Sequence, residues 1–287
     1  MDVLAEVSAF LKLMDEVYNT FGLDYSVSLS TRPEGYLGEL ELWDRAEAAL
    51  TEALNATGRP WKIKEGDGAF YGPKIDIDVY DALRRKYQCA TVQLDFQLPI
   101  RFKLEYAAAN GALETPVIVH RAVLGSVERM IAILTEHFAA KWPFWLNPRQ
   151  VMIVPISEAA QEYAAEVRTR LRKASIFVDC DNTDRKMQKK VREGQLAQYN
   201  YILVVGEAEK AQKLVNVRTR DNIVHGMYQL EELVSILCSE RDLRALASQF
   251  HPRAGDGAGE GAAAAADGVA TLAVREGPAP PAAAASS

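Results

Sequence analysis

The sequence is poor in cysteine and histidine and contains no long apolar run. Its 287 residues include only three cysteines and four histidines. No two cysteines are spaced as a CxxC pair, which argues against a structural zinc site built from this chain alone. The sparse, odd cysteine count is typical of a reducing compartment, so we expect a cytoplasmic location. We expect no membrane association, because no apolar run is long enough to cross a bilayer and the acidic start Met1-Asp2 is unlike a signal peptide.

The chain also lacks an excess of positive charge. Its formal net charge is -6 at pH 7. If it binds a nucleic acid, it must therefore do so through a local basic patch rather than through a global positive field. Hydrophobic residues make up 48% of the sequence, and a chain of 287 residues is long enough for two globular domains.

Two different patterns of secondary structure meet near residue 148. In the first, amphipathic helices at residues 3–21 and 44–57 alternate with strands, which predicts an antiparallel sheet with helices on one side. The predicted strands cover residues 25–31, 61–64, 74–79, 90–96 and 101–106. We therefore assign residues 1–147 to a first, α+β domain.

The second pattern is a regular alternation of strands and helices. Strands predicted at residues 151–156, 176–181 and 201–206 are separated by helices at 158–174 and 187–200, which favours an α/β domain with parallel strands. A further strand at 215–220, a short element near residue 224 and a helix at 230–246 complete residues 148–250. Residues 251–287 are rich in Ala, Gly and Pro and are predicted to be a disordered tail.

One stretch, PVIVHRAVLGSVERMIAILTEHFAAKWPFWLNP, joins the two patterns. Its apolar run at residues 117–119 predicts a buried strand, residues 120–121 a turn, and the apolar spacing from residue 127 a helix that ends near residue 141. Ser126 and Arg129 then lie where the strand gives way to the helix. Open sheets bind ligands at strand ends and helix N-termini attract phosphates, so this junction is a candidate binding site.

Four motifs in this order resemble those of the class II aminoacyl-tRNA synthetases, and specifically those of the threonyl-tRNA synthetase family. HRAVLGSVER at residues 120–129 is similar to the family's motif 3, which would span residues 116–139. The others are STRPE at 30–34, GDGAFYGPKID at 66–76 and QCATVQLDF at 88–96. QLAQYN at 195–200 and VRTRDN at 217–222 resemble the eukaryotic cytosolic branch. The resemblance covers about residues 11–249.

The resemblance implies a threonine–tRNA ligase that uses ATP with Mg²⁺ to activate threonine and then transfers threonine to tRNA-Thr. It also implies a homodimer and a catalytic Zn²⁺ in the full-length enzyme. The fold expected here is an incomplete class II antiparallel sheet followed by an α/β anticodon-binding domain. Motifs 1 and 2, two zinc ligands and the editing domain would lie upstream of residue 1, so we expect the isolated chain to be inactive.

Specific roles follow for residues that match the motifs. An arginine can stack on adenine or reach a phosphate, and the resemblance makes Arg129 a catalytic and ATP-binding residue. Gln93 shares strand parity with polar neighbours, which predicts one polar and one apolar face of the strand. The resemblance further implies Lys74 as catalytic, Gln88 and Ser126 for ATP, and Tyr71, Gln93 and Cys89 for threonine.

His120 has two interpretations. A lone histidine beside a buried strand is more often a satisfied core residue than a metal ligand. The resemblance instead implies that His120 is one of three zinc ligands, although no cysteine or histidine upstream can be assigned as the other two.

A basic cluster is expected to meet RNA in the second domain. It consists of Arg185, Lys186, Lys189, Lys190 and Arg192, although such charge runs are often only a solvated helix face. By resemblance, Glu209 and Arg218 contact the anticodon bases, because arginines and carboxylates suit base edges, and Lys189 contributes to anticodon binding.

Two alternatives stay open. The chain could be a non-catalytic tRNA-binding or regulatory fragment that uses only the second domain. It could also belong to another class II synthetase, such as the prolyl enzyme, although residues 71–74 and 120–129 argue against this.

Overall fold

The computed structural model describes residues 3–81 and 83–250, so the tail predicted at 251–287 lies outside the described residues. The chain divides into two compact units. Of the described residues, those within 3–147 and 239–248 form the first unit, and those within 148–238 and 249–250 form the second. Each unit contains its own five-stranded sheet. No helix in the described part of the chain is both long and apolar enough to span a membrane.

The first unit begins with helix α1, whose bounds match the sequence expectation. In chain order its elements are α1 (Val3–Phe21), β1 (Tyr25–Ser30), α2 (Leu40–Ala56), β2 (Trp61–Lys64), β3 (Lys74–Tyr80), β4 (Lys86–Asp95), α3 (Gln97–Arg101), β5 (Tyr106–Ala107), β6 (Leu113–Glu114), β7 (Ile118–Ala122) and α4 (Val127–Phe138). The strand order in the main sheet is β2-β1-β3-β4-β7. Only the β1–β2 pair is parallel, so the expected antiparallel sheet is confirmed for the other three pairs.

One face of this sheet carries the hydrophobic core. Ile75 and Ile77 of β3 are completely buried there, together with Leu94 of β4. They share one cluster with Phe10 of α1 and Leu50 of α2. Burial of each such side chain contributes about 1.5–3 kcal/mol, so packing of the two helices on the sheet fixes which strand face is left for polar residues.

The structure corrects the sequence prediction between β4 and β7. Of the predicted strand at residues 101–106, only Tyr106 lies in a strand, as the first residue of β5. Asp95 accepts hydrogen bonds from the backbone N–H groups of Gln97 and Leu98, both at 3.0 Å, and so starts the short helix α3, which includes Arg101. His120 and Arg121 lie within β7 rather than in a turn, and that strand is half-buried rather than buried. Helix α4 ends at Phe138 because the next residue, Ala139, adopts φ = 47°.

The second unit has the expected α/β pattern with two antiparallel strands added. Its elements are β8 (Val151–Pro155), α5 (Gln161–Lys173), β9 (Val178–Cys180), α6 (Met187–Leu196), β10 (Tyr201–Val205), α7 (Glu207–Gln212), β11 (Leu214–Thr219), β12 (Val224–Gln229) and α8 (Leu230–Asp242), of which residues 230–238 belong to this unit. The order is β12-β11-β10-β8-β9. The parallel pairing of β9, β8 and β10 is confirmed, whereas β11 and β12 are antiparallel. Helix α7 was not predicted.

Candidate functional site

A row of polar side chains crosses four strands on the open face of the first sheet. Ser30 of β1 pairs with Lys74 of β3, Lys74 pairs with Gln93 of β4, and Gln93 pairs with His120 of β7. Residues that are paired across neighbouring strands project from the same face of a sheet. The structure therefore brings together three of the residues that the resemblance assigned to catalysis, threonine and metal.

A β-bulge at Cys89 decides which side chains of β4 reach this face. Ile77 pairs with Ala90 and Asp78 with Gln88, so the pairing register shifts by one residue between them and Cys89 is the extra residue. A shift of one residue exchanges the two faces of a strand. Gln88 therefore joins the polar face, where its amide donates to Asp76 Oδ1 at 2.6 Å.

Cys89 itself lies in the hydrophobic core. Its side chain is only 4% exposed and belongs to the core cluster of the first unit. Burial raises the pKa of its thiol, against the lowering effects of a hydrogen bond with Tyr18 and of the charge of Arg129. The bulge thus turns the predicted threonine-binding Cys89 away from the polar face.

Tyr71 reaches the polar row from a loop that packs tightly on β4. Its hydroxyl donates to Gln93 Oε1 at 2.5 Å. The next residue, Gly72, runs so close to the strand that a Cβ there would lie 1.8 Å from the carbonyl oxygen of Leu94. Burial and the charge of Asp95 raise the pKa of Tyr71, although Lys74 opposes this, so its phenol stays a hydrogen-bond donor at neutral pH.

His120 is held by a buried carboxylate. Its Nε2 lies 3.0 Å from Asp95 Oδ2, and Asp95 is completely buried. Among residues 3–81 and 83–250, no three His, Cys, Asp or Glu side chains are grouped so that they could hold a metal ion. The residues present therefore do not fit a complete zinc site, and we derive no chemical step through a metal.

Arg129 and Ser126 lie together at the start of α4. Ser126 caps the helix by accepting a hydrogen bond from the backbone N–H of Arg129 at 3.2 Å. The exposed Arg129 guanidinium donates to the carbonyl oxygen of Gln88 at 2.7 Å. Thus Arg129 and Gln88, which the sequence assigned separately to ATP, are in direct contact.

The sequence did not single out two carboxylates that organise this face. Asp76 accepts hydrogen bonds from Gln88 and from Thr91, and Asp95 binds His120 and caps α3. Both lie in strands, where aspartate is disfavoured, and each is flanked in sequence by two apolar residues. An aspartate between two apolar residues of a predicted strand was the signal that could have identified them.

Two members of the basic cluster in the second unit are engaged by other groups of the same unit, one of them buried and the other on the surface. Lys190 is 5% exposed, and its Nζ donates to the carbonyl oxygens of Pro155 at 3.2 Å and Asp181 at 3.1 Å. Arg185 pairs with Asp181 at 2.9 Å and also with Glu193. Arg185 is exposed all the same, as are the remaining three members, Lys186, Lys189 and Arg192.

The predicted base-contacting residues occupy two different elements. Glu209 lies in α7, where its carboxylate accepts a hydrogen bond from the backbone N–H of Gly206 at 2.9 Å. Arg218 lies in β11 opposite Ile202 of β10, and its Nε donates to Asn216 Oδ1 at 3.1 Å. Both are half-buried, so each combines a structural contact with partial access to solvent.

Known proteins that resemble this chain match both units. Residues 1–138 match the family described as tRNA synthetase class II core domain (G, H, P, S and T), and residues 150–240 match the family described as anticodon binding domain. These two ranges include the polar face of the first sheet and the strands and helices that carry the exposed basic residues.

Individual relatives point to one amino acid. The protein named threonine–tRNA ligase, mitochondrial 1, of Arabidopsis thaliana is 60% identical over 233 residues, which are 81% of this chain and 33% of that protein. The protein named threonine–tRNA ligase 1, cytoplasmic, of Rattus norvegicus is 54% identical over 241 residues, 83% of this chain and 35% of that protein. The chain therefore spans about a third of the length of these curated relatives.

A solved structure agrees with both comparisons. The crystal structure of the RNA binding domain of threonyl-tRNA synthetase from Cryptosporidium parvum superposes with a TM-score of 0.79 at 46% identity, covering 83% of this chain and 60% of that one. Since the motifs, the two matched domain families and the relatives agree, the chain belongs to the threonyl-tRNA synthetase family.

Proposed function

We propose that this chain forms part of a threonine–tRNA ligase, which activates threonine with ATP and Mg²⁺ and transfers it to tRNA-Thr. The observation that carries the proposal is the polar row on the first sheet, together with the Arg129–Gln88 contact beside it. In this proposal residues 1–147 contribute part of the catalytic domain and residues 148–250 the anticodon-binding domain.

Arg129, Ser126 and Gln88 form the ATP side of the proposed site. Arg129 supplies an exposed cation at the start of α4, where a helix N-terminus also favours anions. Lys74 supplies a second cation on the sheet and is the other proposed catalytic residue. Such groups stabilise the negative charge that develops on phosphates during adenylate formation, and they need no covalent chemistry of their own.

Tyr71 and Gln93 form the proposed threonine side. Their mutual hydrogen bond fixes the phenol and the amide over one point of the row. His120, directly opposite Gln93, is the residue proposed to contribute to zinc binding in the longer protein. This role needs further ligands from outside the described residues of this chain, because the described ones do not complete a site.

A binding measurement tests the proposal on the chain as it exists. Isothermal titration of the chain with MgATP should detect binding, and Gln93→Ala should weaken threonine binding while it leaves MgATP binding unchanged. If the chain binds neither MgATP nor threonine but binds tRNA-Thr, the alternative of a non-catalytic tRNA-binding fragment is favoured.

The anticodon role has its own test. Exposed Lys189 should contact phosphates without reading sequence, whereas Arg218 and Glu209 should contact base edges. We expect Arg218→Ala to remove the preference for tRNA-Thr over a tRNA with altered second and third anticodon bases, at a cost on the order of 1–3 kcal/mol. Lys189→Ala should weaken both RNAs equally. Equal binding of both RNAs by the unaltered chain would exclude this role.

We further propose a homodimeric, cytoplasmic enzyme. The location is supported by the name of the rat relative and by the three cysteines, which form no disulfide in the described residues. The Arabidopsis relative, named as mitochondrial, supports the competing location. Fractionation of cells that express the tagged protein would decide between the two, and light scattering of the purified protein would test the dimer.

A further inference from the structure

Asp76 lies at the centre of a hydrogen-bond cluster on the polar face. The residue is 0% exposed, yet its carboxylate accepts from four side chains. Gln88 Nε2 at 2.6 Å and Thr91 Oγ1 at 3.0 Å donate to Oδ1. Ser30 Oγ at 2.9 Å and the ammonium of Lys74 donate to Oδ2. The donors come from three different strands, so one carboxylate joins β1, β3 and β4.

The hydrogen bonds already made by this carboxylate determine whether it can also bind a ligand. Each carboxylate oxygen has about two lone pairs, and each already has two donors here. Asp76 therefore has no remaining capacity to bind a ligand directly, and a buried charge of this kind persists only while its donors stay in place. Its effect on a ligand must be exerted through the side chains that it holds.

Two of those side chains belong to the proposed ATP site. The Lys74 side chain is only 13% exposed and also lies 3.7 Å from Asp67, so its ammonium is confined between two carboxylates. Gln88 is held through its side chain and its backbone, because the side-chain amide donates to Asp76 while the backbone carbonyl oxygen accepts from Arg129. Asp76 is thus linked to both cations of the site.

We propose that Asp76 is a positioning residue that sets the Lys74 ammonium and the Gln88 amide in place for the nucleotide. The identity of the ligand rests on the proposed function, whereas the positioning itself can be measured without any ligand. Loss of a residue that only stabilised the fold would not displace particular side chains. A positioning role instead requires that loss of Asp76 displaces Lys74 and Gln88 specifically.

The chain offers a matched control two residues away. Asp78 lies in the same strand and on the same face, is 7% exposed, and pairs with Lys86 at 3.2 Å and Lys64 at 3.5 Å. Neither of these lysines is a proposed site residue. Asp78→Asn therefore makes the same chemical change as Asp76→Asn without removing a contact to Lys74 or Gln88.

Lysine reactivity in the ligand-free chain gives the first measurement. An amine-reactive acylating reagent, followed by peptide mass spectrometry, reports the labelling rate of each lysine. We expect Asp76→Asn to raise the rate at Lys74 several-fold, and Asp78→Asn to raise it at Lys86 and Lys64 but not at Lys74. An unchanged rate at Lys74 in Asp76→Asn, or an equal increase there in Asp78→Asn, would overturn the proposal.

If Asp76→Asn does not fold, as judged by circular dichroism, the unaltered chain decides. Besides any signal from the buried Lys190, its ¹⁵N-lysine spectrum should contain an ammonium signal that is protected from solvent exchange and is lost in Lys74→Met. Failure to find that signal would overturn the proposal.

MgATP binding gives the second measurement. We expect Asp76→Asn to weaken the affinity by about tenfold or more, as for loss of a charged buried hydrogen bond, and Asp78→Asn to leave it within about twofold. Equal affinities of the two variants would overturn the role toward the nucleotide. If the unaltered chain binds no MgATP, the proposed function fails, while the labelling result still decides whether Asp76 holds Lys74.

Discussion

Arg129 shows how much one side chain can contribute to this site. It is exposed, its backbone N–H is used in the cap of α4, and its guanidinium is anchored on Gln88 O. An arginine that is held at one nitrogen keeps its other donors available for a phosphate or its plane for a base. This combination distinguishes it from a solvated surface arginine.

We expect Arg129→Ala to weaken MgATP binding by about tenfold or more, because a charge-assisted contact is lost. Titration calorimetry on the whole chain measures this. The matched control is Arg121→Ala, since Arg121 is also exposed and makes only a 3.5 Å surface ion pair with Glu6, a type of pair worth little. Equal losses in the two variants would indicate a general electrostatic effect and contradict a specific role.

At the same scale, sequence reasoning selected residues that could touch ligands and missed residues that hold them. Lys74, Gln93 and Arg129 were recognisable because their motif positions carry reactive or charged groups. Asp76 and Asp95 sit in the same motifs, but their importance depends on burial and on donors from strands distant in sequence. Such contacts are set by tertiary pairing, which local patterns do not contain.

The bulge in β4 is the feature of a single element that shapes the site most. Simple alternation with Thr91 and Gln93 would place Cys89 on the polar face and Gln88 in the core. The extra residue reverses both positions. The prediction that Cys89 binds threonine followed from the family resemblance alone, and a sequence motif gives no means of detecting a bulge.

Two variants of this strand test the structural role of the bulge. Cys89→Ala should cost about 1 kcal/mol of stability from lost core packing and leave MgATP binding unchanged. Deletion of Cys89 should restore continuous pairing with Gln88 still opposite Asp78, so Gln88 should stay on the polar face and MgATP binding should persist. Thermal unfolding and calorimetry measure the two effects. Loss of ligand binding in Cys89→Ala would contradict the structural role of the thiol.

Other elements differ in how far sequence predicted them. Helix α1 was predicted to the residue, because its buried positions recur at helical spacing and Gly22 follows it with φ = 68°. The prediction of a strand over residues 101–106 rested on a short local alternation of apolar and polar residues. It was wrong because hydrogen bonds from the backbone to Asp95 start helix α3 just before this segment. Helix α7, six residues long, is too short to show a periodic pattern.

For the whole molecule, the number of basic residues in the sequence is larger than the number of basic side chains available to bind RNA. The basic cluster of the second unit contains five cations in sequence, but Lys190 is buried and the exposed Arg185 is paired with Asp181. Lys186, Lys189 and Arg192 are the three exposed members besides Arg185, and the net charge is -6. RNA binding should accordingly be weak and strongly dependent on salt.

Buried tyrosines predict how the stability of the chain depends on pH. Burial raises the pKa of Tyr163 to about 12, with help from Glu166 and Glu209, and burial with a hydrogen bond to Asp179 raises the pKa of Tyr199 to about 12. An unfolded tyrosine titrates near pH 10. Between about pH 10 and 12 the unfolded state loses protons that the folded state keeps, so stability is complete below this window and falls as pH rises through it.

The decline should approach about 1.4 kcal/mol per pH unit for each such tyrosine. Urea unfolding of the whole chain at pH 9, 10 and 11 measures it. Tyr199→Phe should show a shallower decline, because one titrating group is removed, and identical slopes for the two proteins would contradict the assignment.

The polar row of the first sheet also fixes a length. Neighbouring strands are about 4.8 Å apart, so the three gaps between β1, β3, β4 and β7 span about 14 Å. The row therefore places one polar side chain per strand at a fixed interval, at Ser30, Lys74, Gln93 and His120. Backbone pairing between the strands sets these intervals, so no side-chain substitution can change the spacing that a ligand lying across the row encounters. Mutations can alter what each of the four positions recognises, but only a change in strand order could alter the distances between these positions.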